Sequence, residues 1–162
     1  MQRISSSHSF GESSLHLQFT PKKRRKVFLD KAVREECRSC FVKVARELGV
    51  VLHAAEFGPD HVHIFFSNWR RYSIHYLAQR FKGASSRWLR QRMAHSIARY
   101  MKTRTFWTCG YFYETVGSVT AKAREFYIRR CQDKHWQNIE PIVWDNQQAQ
   151  LTNWFAQKPS GL

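Results

Sequence analysis

The stretch from Val50 to Ser67 reads VVLHAAEFGPDHVHIFFS, two apolar runs on either side of a Gly-Pro-Asp turn. Runs of this length that are rich in β-branched and aromatic residues predict strands, and the turn residues predict a tight connection between them. We therefore expect one strand from Val50 to Phe57 and a second from His61 to Ser67. In the second strand His61 and His63 are two residues apart, so both imidazoles should point to the same face of the sheet.

The segments around this hairpin predict further strands and helices. Residues 14–19 alternate apolar with polar side chains, which is typical of a strand with one buried face. From Asp30 to Leu48 apolar residues recur every three or four positions, and Gly49 is a typical residue to end such a helix. The remaining predicted elements are a helix at Ser73–Met93, a strand at Tyr111–Val116 and a helix at Thr120–Lys134. This order predicts an α+β fold in which helices pack on one face of a small antiparallel sheet.

Length and composition indicate one packed domain. The chain has 162 residues, of which 43% are hydrophobic and 15% aromatic, too many apolar side chains for a disordered protein. We expect a loose Ser-rich arm at residues 1–12, the domain at 13–136, and a tail at 137–162 without an assigned structure. No apolar run approaches the roughly 18 residues of a membrane span, and the N-terminus lacks the apolar centre of a signal peptide. We therefore expect a cytoplasmic protein with reduced thiols, neither secreted nor embedded in a membrane.

The charge is strongly positive and unevenly distributed. Lys and Arg number 27 against 12 Asp and Glu, which gives a formal net charge of +15. Between His61 and Tyr113 there is no acidic residue but ten Lys or Arg, interleaved with aromatic residues. Cations that follow phosphates, beside rings that stack on unpaired bases, favour binding to single-stranded nucleic acid. The candidate contact residues are Arg80, Lys82, Arg87 and Arg90, with Lys22, Lys23, Arg24 and Arg25 in the loop after the first predicted strand.

Two sets of residues could take part in catalysis. Neutral imidazoles suit divalent transition metals, so His61 and His63 could hold a metal ion together with a third oxygen or nitrogen ligand. The alternative is a pair of half-buried histidines without a ligand. Tyr127 lies in the last predicted helix, where a tyrosine commonly packs in the core. With a pKa near about 10, a tyrosine can act as a nucleophile at neutral pH only on an electrophile that a metal polarises.

Four groups of residues occur in the order that a known family has. They are PDHVH at 59–63, FKGASS at 81–86, GYF at 110–112 leading to TVG at 115–117, and Tyr127-Ile128. Over about Leu15 to Trp136 the chain resembles the single-tyrosine HUH transposases of the smallest bacterial and archaeal insertion sequences, the IS200-like transposases. This resemblance implies a ferredoxin/RRM-like HUH fold. It also implies a homodimer that binds single-stranded DNA with hairpins and is associated with the nucleoid when bound.

The resemblance implies a role for each candidate site residue. His61 and His63, together with a Gln from the tyrosine helix, would hold Mg²⁺ or Mn²⁺. Tyr127 would attack a phosphodiester, form a 5′-phosphotyrosine and free a 3′-OH. For the basic loop the resemblance favours contact with DNA over a nuclear localisation signal, the other function that its sequence suggests.

One position departs from the family pattern. The commonest pattern has Gln four residues after the tyrosine, whereas here that position holds Cys131 and Gln132 comes five residues after. At about 100° per residue, four steps along a helix return to the face of the tyrosine and five do not. Either the helix ends or bends locally, or another group completes the site. Gln132 is the predicted third ligand, because its amide oxygen is a hard donor that suits Mg²⁺ or Mn²⁺. Glu56 and Asp60 are further oxygen donors, expected beside the metal ligands or in the turn.

Two other functions stay open on the sequence. One is a domesticated relative that cuts hairpin DNA for its host. The other is a catalytically silent module whose sheet binds single-stranded nucleic acid. The presence of His61, His63 and Tyr127 in one chain argues against the silent module.

The disagreement over the third ligand yields a direct test. We expect Gln132→Ala to impair Mn²⁺-dependent DNA cleavage strongly and Cys131→Ser to be nearly neutral, since a thiol would favour zinc over a hard cation. Cleavage of single-stranded DNA by the two purified variants is the measurement. The reverse result would place residue 131 beside the metal and would change both the ligand and the metal.

Overall fold

The protein is described by a computed structural model that covers residues 4–6, 9–11 and 13–116. The helices and strands of this part are β1 (Ile4–Ser6), β2 (Ser9–Gly11), β3 (Ser14–Phe19), α1 (Lys31–Leu48), β4 (Val51–Gly58), β5 (His61–Ser67), α2 (Ile74–Arg92), α3 (Ala94–Tyr100) and β6 (Phe112–Val116). Two short 3₁₀ turns, Lys22–Arg24 and Val27–Leu29, connect β3 to α1.

Four strands form one antiparallel sheet in the order β4-β5-β3-β6. The central strand β3 pairs with β5 over the whole length of β3, from Ser14 opposite Ser67 to Phe19 opposite Val62. Helices α1 and α2 pack against each other and against one face of this sheet. The α+β fold predicted from the order of the elements is confirmed.

Local sequence signals determine where the two long helices begin and end. The Asp30 carboxylate accepts hydrogen bonds from the backbone N–H groups of Ala32 and Val33, and Gly49 ends α1 with a positive φ of 66°. The Ser73 hydroxyl accepts from the N–H of Tyr76 and caps α2 in the same way. These bonds satisfy N–H groups that have no partner within the helix, so both helices keep the boundaries that the sequence predicts.

The core between helices and sheet is rich in phenylalanine. Phe81 of α2 is fully buried, and its ring centroid lies 5.5 Å from that of Phe66 in β5 and 5.7 Å from that of Phe41 in α1. Cys37 and Cys40 face the same core, and burial raises the pKa of the Cys40 thiol to about 11. Both cysteines are therefore neutral packing residues at physiological pH.

Some elements differ from the sequence prediction or lie outside the described part. Helix α3 was not predicted, because it has seven residues and no side-chain cap at its N-terminus. Within the segment predicted as a loose arm, the backbone of β1 pairs with that of β2 as a short antiparallel ladder. The predicted helix at Thr120–Lys134 and the tail at 137–162 lie outside the described residues, and the boundary at 136 stays a prediction.

The phenylalanine core should dominate the stability of the fold. We expect Phe81→Ala to lower the free energy of unfolding by about 3–5 kcal/mol, because it leaves a cavity between Phe41 and Phe66. Gln79→Ala is the matched control on the exposed side of α2 and should change the free energy by at most about 0.5 kcal/mol. Denaturant titrations with linear extrapolation measure both values. An equal effect of the two substitutions would contradict this description of the core.

Candidate active site

His61 and His63 lie on the sheet face opposite the helices, side by side as their spacing predicts. The three apolar residues between and after them, Val62, Ile64 and Phe66, are fully buried in the helix-facing core. Alternation along the strand then turns both imidazoles to the other face. The ring centroids of His61 and His63 are 5.0 Å apart with their planes at 89°, and His61 is 3% exposed.

Asp60 and Arg24 hold the His61 ring in place. Nδ1 of His61 lies 2.8 Å from Oδ1 of Asp60, and Nε of Arg24 donates to the other carboxylate oxygen at 2.9 Å. Burial raises the pKa of Asp60, but the hydrogen bonds from Arg24 and His61 outweigh burial and bring it below the usual value. An ionised Asp60 can only accept in this bond, so the proton between the two groups is on Nδ1 of His61.

Gly58 makes room for the same ring. Gly58 pairs with His61 across β4 and β5, and a Cβ at this position would overlap the imidazole, 2.6 Å from Nε2 and 2.8 Å from Nδ1. Contacts under about 3.0 Å between a Cβ and a ring atom are repulsive, so any larger residue would displace the ring. Glycine at position 58 is therefore part of the site.

His63 is held by a residue of the neighbouring central strand. Its Nδ1 lies 2.8 Å from Nε2 of His16, and the two rings stack with centroids 5.0 Å apart at 16°. On the other side of the His16 ring, Nδ1 lies 3.9 Å from a carboxylate oxygen of Glu114 in β6. Burial lowers the pKa of His16 and Glu114 opposes this, with a net pKa below the usual value. Glu56 pairs with His63 across β4 and β5 and is also buried.

This face carries two imidazole nitrogens of the type that binds divalent transition metals. Both Nδ1 atoms of the pair have hydrogen-bond partners, so Nε2 of His61 and Nε2 of His63 are the ring nitrogens suited to ligation. Among the residues that the structure describes, no group of three or more His, Cys, Asp or Glu side chains could hold a metal ion. The predicted third ligand Gln132 and the predicted nucleophile Tyr127 lie outside the described residues, as does Cys131.

The basic loop lies beside the histidine pair. Arg24 is bonded to Asp60 next to His61, and the backbone N–H of Phe28 donates to the carbonyl of Pro59 at 3.1 Å. These two bonds fasten the loop between β3 and α1 to the β4–β5 turn. Lys23 and Arg24 both have positive φ, 58° and 51°, so the chain makes a sharp turn there. Of the predicted contact residues in this loop, Arg24 thus lies at the rim of the candidate site, and Lys22, Lys23 and Arg25 are its neighbours in the chain.

Lys82, a predicted contact residue for nucleic acid, is bonded to a loop of the protein itself. Its ammonium group donates to the carbonyls of Thr108, Cys109 and Gly110 at 2.6, 2.9 and 3.1 Å. An ammonium has three N–H donors, so all of them are used by this loop. In this structure Lys82 holds the loop that leads into β6, and its contact with nucleic acid stays a prediction.

The other predicted contact residues of α2 lie on the helix side of the sheet, away from the histidine pair. Arg80 and Arg87 line a groove of about 510 Å³ between α1 and α2, and Arg80 lies 3.4 Å from the carboxylate of Glu47. Arg90 donates to the carbonyl of Thr103 at 2.8 Å. The structure therefore brings the basic loop to the site but not these three arginines.

Sequence reasoning missed two residues of the site, His16 and Glu114. The alternation of residues 14–19 places His16 on the polar face of its strand, but nothing in that pattern says which strand lies beside it. The pairing of His16 with Glu114 in β6 and the position of β3 beside β5 become visible only in the assembled sheet.

The fold and the histidine pair together are those of the HUH class that the sequence resembles. The sequence profile of the family described as "Transposase IS200 like" matches residues 9–131. The chain belongs to the IS200-like transposase family. The transposases for insertion sequence element IS200 of Salmonella typhimurium strain LT2 and of Salmonella typhi are each 30% identical to it over 126 residues, which are 78% of this chain and 82% of each relative.

Two solved structures have a similar fold. A candidate transposase from Deinococcus radiodurans R1 aligns with a TM-score of 0.62 at 20% identity, over 82% of this chain and 98% of that one. A REP-associated tyrosine transposase bound to a REP hairpin aligns with a TM-score of 0.54 at 15% identity, over 82% of this chain and 74% of that one. In the part of this chain that is described, no helix has the length and apolar character to cross a membrane.

The contact between Gly58 and His61 gives a prediction for metal binding. We expect Gly58→Ala to weaken Mn²⁺ binding by about 10-fold or more, the usual effect of disturbing a residue that orients a ligand. Gly83→Ala is the control, since a Cβ at Gly83 meets nothing within 4 Å and alanine favours the helix. Calorimetric titration of both variants with Mn²⁺ is the measurement, and unchanged affinity in Gly58→Ala would show that the ring position does not matter.

Proposed function

We propose that this protein cleaves and rejoins single-stranded DNA at hairpin-bearing ends of an insertion element, through a 5′-phosphotyrosine on Tyr127. The observation that carries the proposal is the histidine pair. His61, which is buried, and His63, which is half-buried, lie side by side on the sheet face opposite the helices, and the Nδ1 of each has a hydrogen-bond partner. Membership of the IS200-like family supports the reaction type.

His61, His63 and Gln132 are the residues that would hold Mg²⁺ or Mn²⁺. When bound, such a cation neutralises charge on a non-bridging phosphate oxygen and makes the phosphorus more electrophilic. The chain's own contribution is to orient the two imidazoles so that each directs its Nδ1 to a hydrogen-bond partner. Asp60 does this for His61 through the Nδ1 bond, and Gly58 leaves the space that the ring needs.

The covalent step assigned to Tyr127 is a transesterification. The phenol loses its proton, its oxygen forms a bond to phosphorus, and the bond from phosphorus to the 3′-oxygen breaks. That 3′-oxygen takes up a proton and becomes a free 3′-OH, while the 5′-phosphate stays on the tyrosine. Attack by a 3′-OH on the phosphotyrosine reverses these changes and joins the strands, so no nucleotide cofactor is needed.

Charge supports a nucleic-acid substrate. The basic loop at the rim of the site carries Lys22, Lys23, Arg24 and Arg25, which can contact phosphates next to the scissile bond. The REP-associated transposase with a similar fold binds a REP hairpin, and we expect hairpins to be recognised here as well. Following the family resemblance, we expect the active form to be a homodimer.

A labelled-DNA experiment tests this function. Single-stranded DNA that spans an element end is incubated with the protein and Mn²⁺, labelled at either its 5′ or its 3′ end. We expect the 3′ label to become covalently attached to protein and the 5′ label to appear on a shorter free strand, because the tyrosine retains the 5′-phosphate of the downstream fragment. Tyr127→Phe should abolish the adduct and leave DNA binding nearly unchanged, since only the phenol oxygen is removed.

The controls separate this function from its alternatives. His61→Ala and His63→Ala should each abolish cleavage, and the same strand in a plain duplex should give no adduct. Full DNA binding without an adduct in the wild-type protein would identify a silent binding module. An adduct of undiminished yield in Tyr127→Phe would remove Tyr127 from its assigned role.

A further inference from the structure

We propose that His16 is the positioning residue for His63: it accepts the Nδ1–H of His63 and so keeps the lone pair of that ring on Nε2, where a metal can use it. This inference rests on the metal site of the proposed function. It assigns a role to a residue of another strand that does not itself ligate.

The contact between the two rings is close and directional. Nε2 of His16 lies 2.8 Å from Nδ1 of His63, a normal hydrogen-bond distance, and each ring can take either role. The rings also stack nearly parallel with centroids 5.0 Å apart, and the Phe112 ring packs edge-on against His16 with a centroid separation of 5.8 Å. With His16 only 3% exposed, this packing restricts rotation of the ring.

Glu114 decides the direction of the bond. Its carboxylate lies 3.9 Å from Nδ1 of His16, in the strand paired with β3. A negative charge there favours the tautomer of His16 with its proton on Nδ1. Nε2 of His16 then carries the lone pair and can only accept, so the proton between the rings belongs to Nδ1 of His63. The opposite tautomer would place a proton on Nε2 of His63 and block ligation by that atom.

The two histidines of the pair are thus oriented in different ways. His61 is bonded directly to a carboxylate, Asp60, which follows Gly58 and Pro59 in the same turn. His63 is bonded to a neutral imidazole that has a carboxylate on its far side, and these groups come from three different strands. Orientation of His63 therefore depends on correct assembly of the sheet.

The tautomer of His63 can be observed without metal, DNA or activity. In the metal-free wild-type protein at about pH 8, two-bond ¹H–¹⁵N correlation spectra distinguish a proton on Nδ1 from one on Nε2 and both of these from a doubly protonated ring. We expect the His63 proton on Nδ1. In His16→Phe, which keeps an aromatic ring but removes the acceptor, we expect the proton to move to Nε2 in most molecules.

Two further variants make the test specific. His16→Gln can present an amide oxygen near the position of the lost Nε2 and should restore the Nδ1–H tautomer at least in part. His53→Phe is the matched control, because His53 lies on the same sheet, has its Nε2 2.8 Å from the hydroxyl of Ser67 and contacts the ring of Phe65. We expect it to leave the His63 tautomer unchanged.

Metal affinity provides the second readout. We expect His16→Phe to weaken Mn²⁺ binding by about 10–100-fold in calorimetric titrations, His16→Gln to recover part of this loss, and His53→Phe to bind as the wild type does. A wild-type His63 with its proton on Nε2, or an unchanged tautomer in His16→Phe, would overturn the role of His16. A wild-type protein that binds no Mn²⁺ would overturn the proposed function instead, and the tautomer spectra would still decide the role of His16.

Discussion

Burial of β5 on both of its faces is the constraint on which the site depends. On one face Val62, Ile64 and Phe66 pack against the helices, and on the other His61 and His63 lie beside each other. A shift of register by one residue would exchange the two sets and place imidazoles in a phenylalanine core. The large free energy of burying the apolar side therefore also fixes the direction of the polar side.

The helix layer reaches the site through the loop that precedes β6. Lys82 binds three carbonyls of this loop, and the indole N–H of Trp107 donates to the hydroxyl of Ser85 at 2.9 Å. Both anchors, Lys82 and Ser85, belong to the FKGASS segment of α2. The loop continues into β6, which carries Glu114 to His16. The same segment that sequence reasoning associated with nucleic acid therefore supports the geometry of the histidine pair from a distance.

Much of the fold could be predicted because its signals are local. Each of these signals depends on a few neighbouring residues: the alternation in residues 14–19, the caps Asp30 and Gly49, and the turn before His61. Helix α3 has no such cap and is held mainly by the burial of Ile97 and Met101, so its existence depends on contacts from elsewhere.

The site was predictable only in part for the same reason. His61 and His63 are neighbours on one strand, and their spacing alone places them on one face. His16 and Glu114 join them through strand pairings, which no single segment encodes. The bonds from Lys82 to the loop before β6 were not predictable for a related reason: the sequence of a helix does not show whether a basic side chain faces solvent or a loop folded over it.

The contact between Gly58 and the His61 ring makes a more specific sequence pattern possible than the two histidines alone. His-x-His alone specifies two positions, and strands of many unrelated proteins satisfy it by chance. In this protein the ring also needs Asp60 at its Nδ1 and bare backbone beneath it at Gly58. The pattern Gly-x-Asp-His-x-His therefore specifies four positions, each for a stated steric or hydrogen-bonding reason. A search of other sequences with this pattern would separate two kinds of histidine pair. In one kind the neighbouring residues orient the ring as they orient His61 here, and in the other the two histidines only share a strand.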